Sequence, residues 1–224
     1  MLLCQLTAVT QTPLLGAGIN GLPYGLPIHP NLVHLTLGLF IVAIAFDIIA
    51  NLYALQKPIF NFFAIPVTRA DLYDVGWFNM LAAAIITFFT VAAGFYEMLL
   101  ADPPQDMQSP WGLSALDTMV WHGVGGVVLL GLIVAMTIWR ALLRYIWRED
   151  RSRQVTGKYL SAGLFIFVLM FFHGTLGAHL GGDFGVHVTA DRLIRAGIDP
   201  NQLSQTELNQ PPEVLIPLGS QSLD

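Results

Sequence analysis

Charge is what this sequence has least of. Asp, Glu, Lys and Arg together make up 11% of its 224 residues, against roughly 25% in an ordinary soluble domain. A water-soluble fold of this length cannot cover its surface with so few charges, so lipid surrounds most of the chain. A basic face is missing too: the formal net charge is −5, and no interleaving of aromatic and basic residues points to nucleic acid. Cysteine occurs once, as Cys4, which excludes an internal disulfide or a thiolate metal cage and leaves an inert terminal thiol. No Lys or Arg precedes Lys57, so the positively charged start of a cleavable signal peptide is absent. No alternating polar and apolar run suggests a strand, and hydrocarbon does not tolerate an open sheet. A Ser/His/Asp triad, a phosphate-cradling glycine loop and a dinucleotide fingerprint are also absent from any workable context, so no catalytic residue is assigned.

What is present is apolar residues in long runs. Four stretches, at about 31–55, 75–100, 118–147 and 159–180, each supply the ~20 residues that a ~30 Å hydrocarbon core demands. The expected fold is all-α: an integral membrane four-helix up-and-down bundle over residues 29–182. Residues 1–28 are uncharged and rich in Gly, Pro and Leu, which forbids a spanning helix and fits a re-entrant or surface-lying segment. Residues 183–224 form a polar tail with a short helical candidate at Val188–Ala196, too short for a core of its own and suited to docking.

Orientation follows from the basic residues. Six of the ten, Arg140, Arg144, Arg148, Arg151, Arg153 and Lys158, fall around the connection between the third and fourth spans, and Lys57 and Arg69 lie in the first connection. The positive-inside rule places both connections in the cytoplasm and both termini outside it, in a bacterial inner or thylakoid membrane.

Histidine gives the sequence its specificity. In that topology His29, His34, His122, His173, His179 and His187 all fall toward the non-cytoplasmic side. His34 and His122 sit ~5 Å and His173 ~10 Å below the boundary, so they are able to converge. Glu97 ends the second span at the same level. Ionisable groups inside a span are expensive and turn toward partners or a site.

Three readings stay open. In the first, the histidines are interfacial and bond to Glu97, carbonyls and headgroups, as interhelical glue. In the second, a b-type haem takes two axial imidazoles, His122 and His173 by first choice, with His34 as substitute or propionate partner. Glycines at 123, 125, 126, 174 and 177 then provide smooth faces for a porphyrin, although close helix packing explains them equally. In the third, a non-haem metal ion sits on a set drawn from His34, His122, His173, Glu97, His29 and His179. With no histidine in the cytoplasmic half, a second bis-imidazole haem is unavailable there. Asp47, past the middle of the first span, reads as a buried group bonded to a neighbouring helix or Asn79, or as a proton-relay carboxylate. The tryptophans, with Tyr145 and Tyr159, read as interface anchors, and the methionines within the spans as packing.

Two stretches carry a resemblance. His29-Pro30-Asn31-Leu32-Val33-His34 opens a span that reaches Asp47, and Gly177-Ala178-His179-Leu180-Gly181-Gly182 runs into Asp183-Phe184-Gly185-Val186-His187-Val188. These resemble the bacterial four-helix membrane proteins of domain of unknown function 2231, over about Leu26–Val188. The extended segment Gly21–Pro30 is similar to cyanobacterial members. The resemblance implies a membrane bundle without an established activity. Its association with Rieske iron–sulfur domains and terminal oxidase subunits implies a setting in respiratory or photosynthetic electron transport. With the one-sided histidine cluster, the expected function is a redox-associated subunit, in or beside such a complex, whose outward histidine layer binds haem b or another metal ion. A cofactor-free structural or assembly subunit of such a complex is the alternative.

Overall fold

The computed structural model describes residues 20–26, 28–147, 154–195 and 197–199. The expectations for Cys4, for most of the N-terminal segment, for Arg148, Arg151 and Arg153, and for the tail beyond 199 lie outside the described residues. Residues 27–186 form one compact unit. It contains α1 (Ile28–Asn51), α2 (Tyr53–Phe62), α3 (Arg69–Leu99), α4 (Ala115–Ala141) and α5 (Gly157–Gly182), with a π-helical turn, Leu142–Ile146, extending α4. No strand occurs among the described residues; Gln108 and Ser114 make an isolated bridge in the α3–α4 loop.

Four of these helices are long and apolar enough to cross a membrane, as the hydrophobic runs predict. They pack as a closed ring in which α1 meets α3, α3 meets α4, α4 meets α5 and α5 meets α1. Local sequence sets their starts. Thr68 and Asp71 make a reciprocal capping box for α3, and Ser114 and Thr156 accept from the backbone N–H groups of Asp117 and Tyr159 to open α4 and α5. Each hydroxyl satisfies a donor that has no partner inside the helix. The cap of α4 thus falls at Ser114, about one turn before the expected start of the third span at 118. Helix α1 starts at Ile28, ahead of Pro30, whose missing N–H costs nothing in the first turn.

Inside the ring, Phe40, Met80, Ile133 and Tyr159 are fully buried. Outward-facing positions such as Phe78, Phe88, Phe89, Phe165 and Phe171 are exposed large apolar residues. Apolar residues on the outer face as well as the inner one are what a lipid-facing bundle requires. Helix α2 has no counterpart in the expected layout, which ran the first span to residue 55. Leu52 breaks the helical path (φ −92°, ψ 12°), and α2 contributes no buried residue.

The second compact unit is described over residues 20–26 and the region from His187. Asn20 knots its own turn, accepting from the Leu22 N–H at 3.1 Å and donating to the Tyr24 carbonyl at 3.2 Å. His187, at φ 58°, bonds through Nδ1 to the Asn20 carbonyl at 3.1 Å. Helix α6 (Thr189–Arg195) realises the helical candidate of the tail.

Candidate functional site

Two polar layers cross the bundle, one near each end. The first ends of α1 and α4 and the last turns of α3 and α5 carry histidines and Glu97. The opposite end carries Asp47, Arg140 and Arg144.

At the histidine end, His29, His122 and His173 come together from α1, α4 and α5. The His122 and His173 rings lie 4.2 Å apart between centroids and within 15° of parallel; His29 meets His122 edge-on at 6.0 Å and 86°. Each ring sits over a glycine of a neighbouring helix. A Cβ added at Gly125 of α4 falls 2.6 Å from His173 Cδ2, one at Gly177 of α5 falls 2.9 Å from His122 Cε1, and one at Gly94 of α3 falls 2.7 Å from His29 Cε1. The α4–α5 pair is reciprocal: each helix lends the other a ring and a notch.

Hydrogen bonds fix the tautomers. His29 Nδ1 lies 2.9 Å from the Thr90 carbonyl, and His173 Nε2 lies 2.8 Å from the His122 carbonyl. A carbonyl only accepts, so each of these nitrogens carries a proton and donates it. His122 Nδ1 is buried without a hydrogen-bond partner among the described residues. Two further bonds tie α1 to α3. Glu97, buried at the end of α3, accepts from the His29 backbone N–H at 3.1 Å, a carboxylate placed on the positive end of a helix. Thr36 and Thr90 pair through their hydroxyls at 2.9 Å.

His34 departs from the expected set. It is exposed, and its Nδ1 lies 2.6 Å from the Pro30 carbonyl of its own helix. Counting depth alone brought it to the layer; its position around the helix turns it away. His179 belongs to the rim, as its six-residue offset from His173 requires. It pairs with Asp183 and lies edge-on to Trp111 at 5.1 Å. Among the described residues no group of three or more His, Cys, Asp or Glu side chains is placed to hold a metal ion. The pair expected as haem ligands also stands differently from what iron needs. Axial imidazoles approach iron tip-first from opposite faces of a porphyrin, whereas these rings lie flat on one another with no room for a macrocycle between them.

At the other end, Arg140 of α4 and Asp47 of α1 form a two-pronged ion pair, Nε to Oδ2 and Nη2 to Oδ1, both at 3.0 Å, with both side chains fully buried. The guanidinium also donates to the Tyr73 carbonyl of α3 at 3.2 Å and to the Gln154 carbonyl ahead of α5 at 3.3 Å, and it lies over the Tyr73 ring. One cation thereby contacts all four spanning helices or their immediate approaches. Arg144 extends the layer to Asp74 at 2.6 Å and to the Gln154 side chain at 3.0 Å. Asn79, the partner considered for Asp47, instead bonds Val75 of its own helix.

Arg140, counted in the sequence with the basic connection between the third and fourth spans, is instead fully buried inside the bundle. The missed signal was matched depth: Asp47 and Arg140 each lie about two turns before the ends of the expected spans, at 55 and 147, and buried opposite charges at one level seek each other. The carboxylate is seated over Gly76, where an added Cβ falls 2.5 Å from Oδ1. Gly76→Ala is expected to cost about 1–3 kcal/mol by overpacking a site that cannot yield, seen as earlier unfolding of the purified protein in a denaturing-detergent titration. An unchanged midpoint contradicts this seating.

No curated protein and no solved structure matches the chain. A family model described as a predicted membrane protein, DUF2231, matches residues 25–190, a range that takes in every helix of the bundle. The chain is an integral membrane protein and belongs to the DUF2231 family.

Proposed function

We propose that this chain is a cofactor-free membrane subunit, not an enzyme, that assembles with other subunits of a respiratory or photosynthetic electron-transport complex. In this reading the histidine end faces away from the cytoplasm, because the basic connections at the other end obey the positive-inside rule. The observation that carries it is how the imidazoles are used. His29 and His173 each donate to a main-chain carbonyl beyond their own helix, and the rings of His29, His122 and His173 each fill a notch left by a glycine. That is a helix clasp. Gly38, Gly131, Gly174 and Gly181 have open space where a Cβ would stand, and Gly174 and Gly181, seven apart, share one face of α5. In lipid, small residues on an outer face permit close approach of another helix. The electron-transport setting rests on the family resemblance.

A second reading is favoured by the buried, unpartnered Nδ1 of His122: a non-haem ion or a haem taken up by the layer after its rings reorient. One preparation separates the two. The purified, dithionite-reduced protein is expected to show neither a Soret nor an α band and to carry no stoichiometric metal, and His122→Ala is expected to cost about 1–3 kcal/mol in a detergent-unfolding titration without spectral consequence. A haem spectrum or bound metal that disappears in His122→Ala and His173→Ala overturns the clasp-only reading. On native gels of solubilised membranes the chain is expected in a complex, which Gly174→Leu/Gly181→Leu disperses; migration of both forms as the same monomer ends the assembly reading.

A further inference from the structure

Helix α2 uses only one of its faces within the bundle. Tyr53 and Phe60 stack on each other at 6.1 Å, both pack against the core, and the Tyr53 hydroxyl donates to the Val67 carbonyl at 2.8 Å. At its end the backbone turns at Ala64 (φ 52°), and the Ile65 N–H returns to the Phe60 carbonyl at 2.9 Å. These contacts hold the helix in a fixed rotation. At 100° per residue, Leu55, Ile59 and Phe62 then share an arc of about 60° on the side opposite Tyr53 and Phe60. Leu55 and Phe62 are 75% and 83% exposed, and Ile59 and the following Phe63 are exposed as well. Lys57 and Asn61 fall about 130–190° around the helix from the centre of this stripe, next to the side that carries Tyr53 and Phe60, and both are exposed.

The occupant of the stripe follows from where α2 sits. The 24 residues of α1 give ~36 Å, enough to cross a ~30 Å hydrocarbon core. Tyr53 follows one residue later, and α3 re-enters from Arg69. The segment between is confined to the bilayer boundary. An apolar stripe with a cation on the opposite side of the helix fits that boundary: acyl chains on one side, anionic phosphates on the other. We propose that α2 is an interfacial helix, with Leu55, Ile59 and Phe62 seated among acyl chains and Lys57 engaging the headgroups of anionic phospholipid. The seat depends on four spanning helices and holds whichever subunits the protein joins.

Single nitroxide labels at positions 55, 57, 59, 61 and 62, in the full chain with Cys4→Ser, test this by power-saturation EPR in vesicles of phosphatidylcholine with one-quarter phosphatidylglycerol. Labels at 55, 59 and 62 are expected to meet oxygen several-fold more readily than a water-soluble nickel chelate, and labels at 57 and 61 to show the reverse. A label at 62 that is open to the chelate, or that is shielded from both reagents as in a protein contact, overturns the acyl-chain seat. With Lys57 intact, exchange of phosphatidylglycerol for phosphatidylcholine is expected to mobilise the label at position 61, one turn away, while 62 keeps its depth. No response at 61, or the same response after Lys57→Ala, overturns the headgroup contact. Because no partner protein is present, failure here is distinct from failure of the assembly reading.

Discussion

Arg140→Leu is expected to cost the folded protein about 3–5 kcal/mol, because it leaves the Asp47 carboxylate buried without its counter-ion. Asp47→Leu should cost a similar amount from the other side. The sign of the double variant carries the diagnosis. Desolvating both ions is expensive, and in known cases an apolar replacement of a whole buried pair is neutral or even stabilising. Asp47→Leu/Arg140→Leu should therefore recover most of the loss seen in either single variant. Some loss should remain, since the same guanidinium also serves the Tyr73 and Gln154 carbonyls. Unfolding of purified protein in mixed micelles of increasing denaturing-detergent fraction, followed by circular dichroism, reads all three. If the double variant is as unstable as the two losses added together, Asp47 and Arg140 act independently, and a separate role for the carboxylate, such as a proton relay, regains its place. If Arg140→Leu costs less than about 1 kcal/mol, water reaches the pair and it is no clasp.

The consequence reaches assembly of the bundle. Helix α1 emerges first, with Asp47 bare, and the counter-ion comes 93 residues later on α4. A carboxylate in a span is costly until it finds a partner. The α1–α3 contact alone leaves it with Gly76 and no cation, so the pair defers the final packing of the first half until the second half arrives.

Sequence periodicity and composition reached the spans because lipid imposes them: length and apolarity alone decide what crosses. Expected and observed boundaries agree to within a turn for α5 and for α4 taken with its π-helical turn, and α3 starts earlier because Asp71 and Asp74, polar in sequence, ride on the first helical turns. The break at Leu52 was not legible. Residues 52–55 are apolar enough to continue a span, and only the packing of Tyr53 and Phe60 shows that the chain has turned. The histidine layer was half legible. Depth along a helix follows from counting, which correctly grouped His122 with His173, and Glu97 with the same level. Rotation about the axis depends on which face each helix buries, and hydrophobicity alone does not fix it for α1 and α5. In α1 the buried Asp47 did carry the signal, because at about 100° per residue His29 shares its face and His34 lies about 140° away. Counting depth alone therefore placed His34 in the layer and passed over His29, and counting by sign placed Arg140 with the basic connection.

Filling the two α4–α5 notches is the sharpest test of the histidine clasp. Gly125→Ala drives a methyl toward His173, Gly177→Ala drives one toward His122, and the two rings rest on each other. Displacing either ring disturbs both, so each single variant should cost about 1–3 kcal/mol, and the double variant should cost clearly less than the sum. A coupling of about 0.5–3 kcal/mol is what residues sharing one contact display. Gly131→Ala and Gly174→Ala, on the same two helices but facing open space, give the background: alanine is the better helix former by up to about 1 kcal/mol, so these should be neutral or slightly stabilising. The opposite signs matter, because propensity works in favour of all four substitutions and only ring displacement opposes it at 125 and 177. Additive single losses would mean that the two rings do not rest on each other, and losses no worse than at 131 and 174 would mean that the layer moves freely enough to accept a ligand between its helices. The same titration therefore decides whether these imidazoles serve the bundle or remain available to a metal.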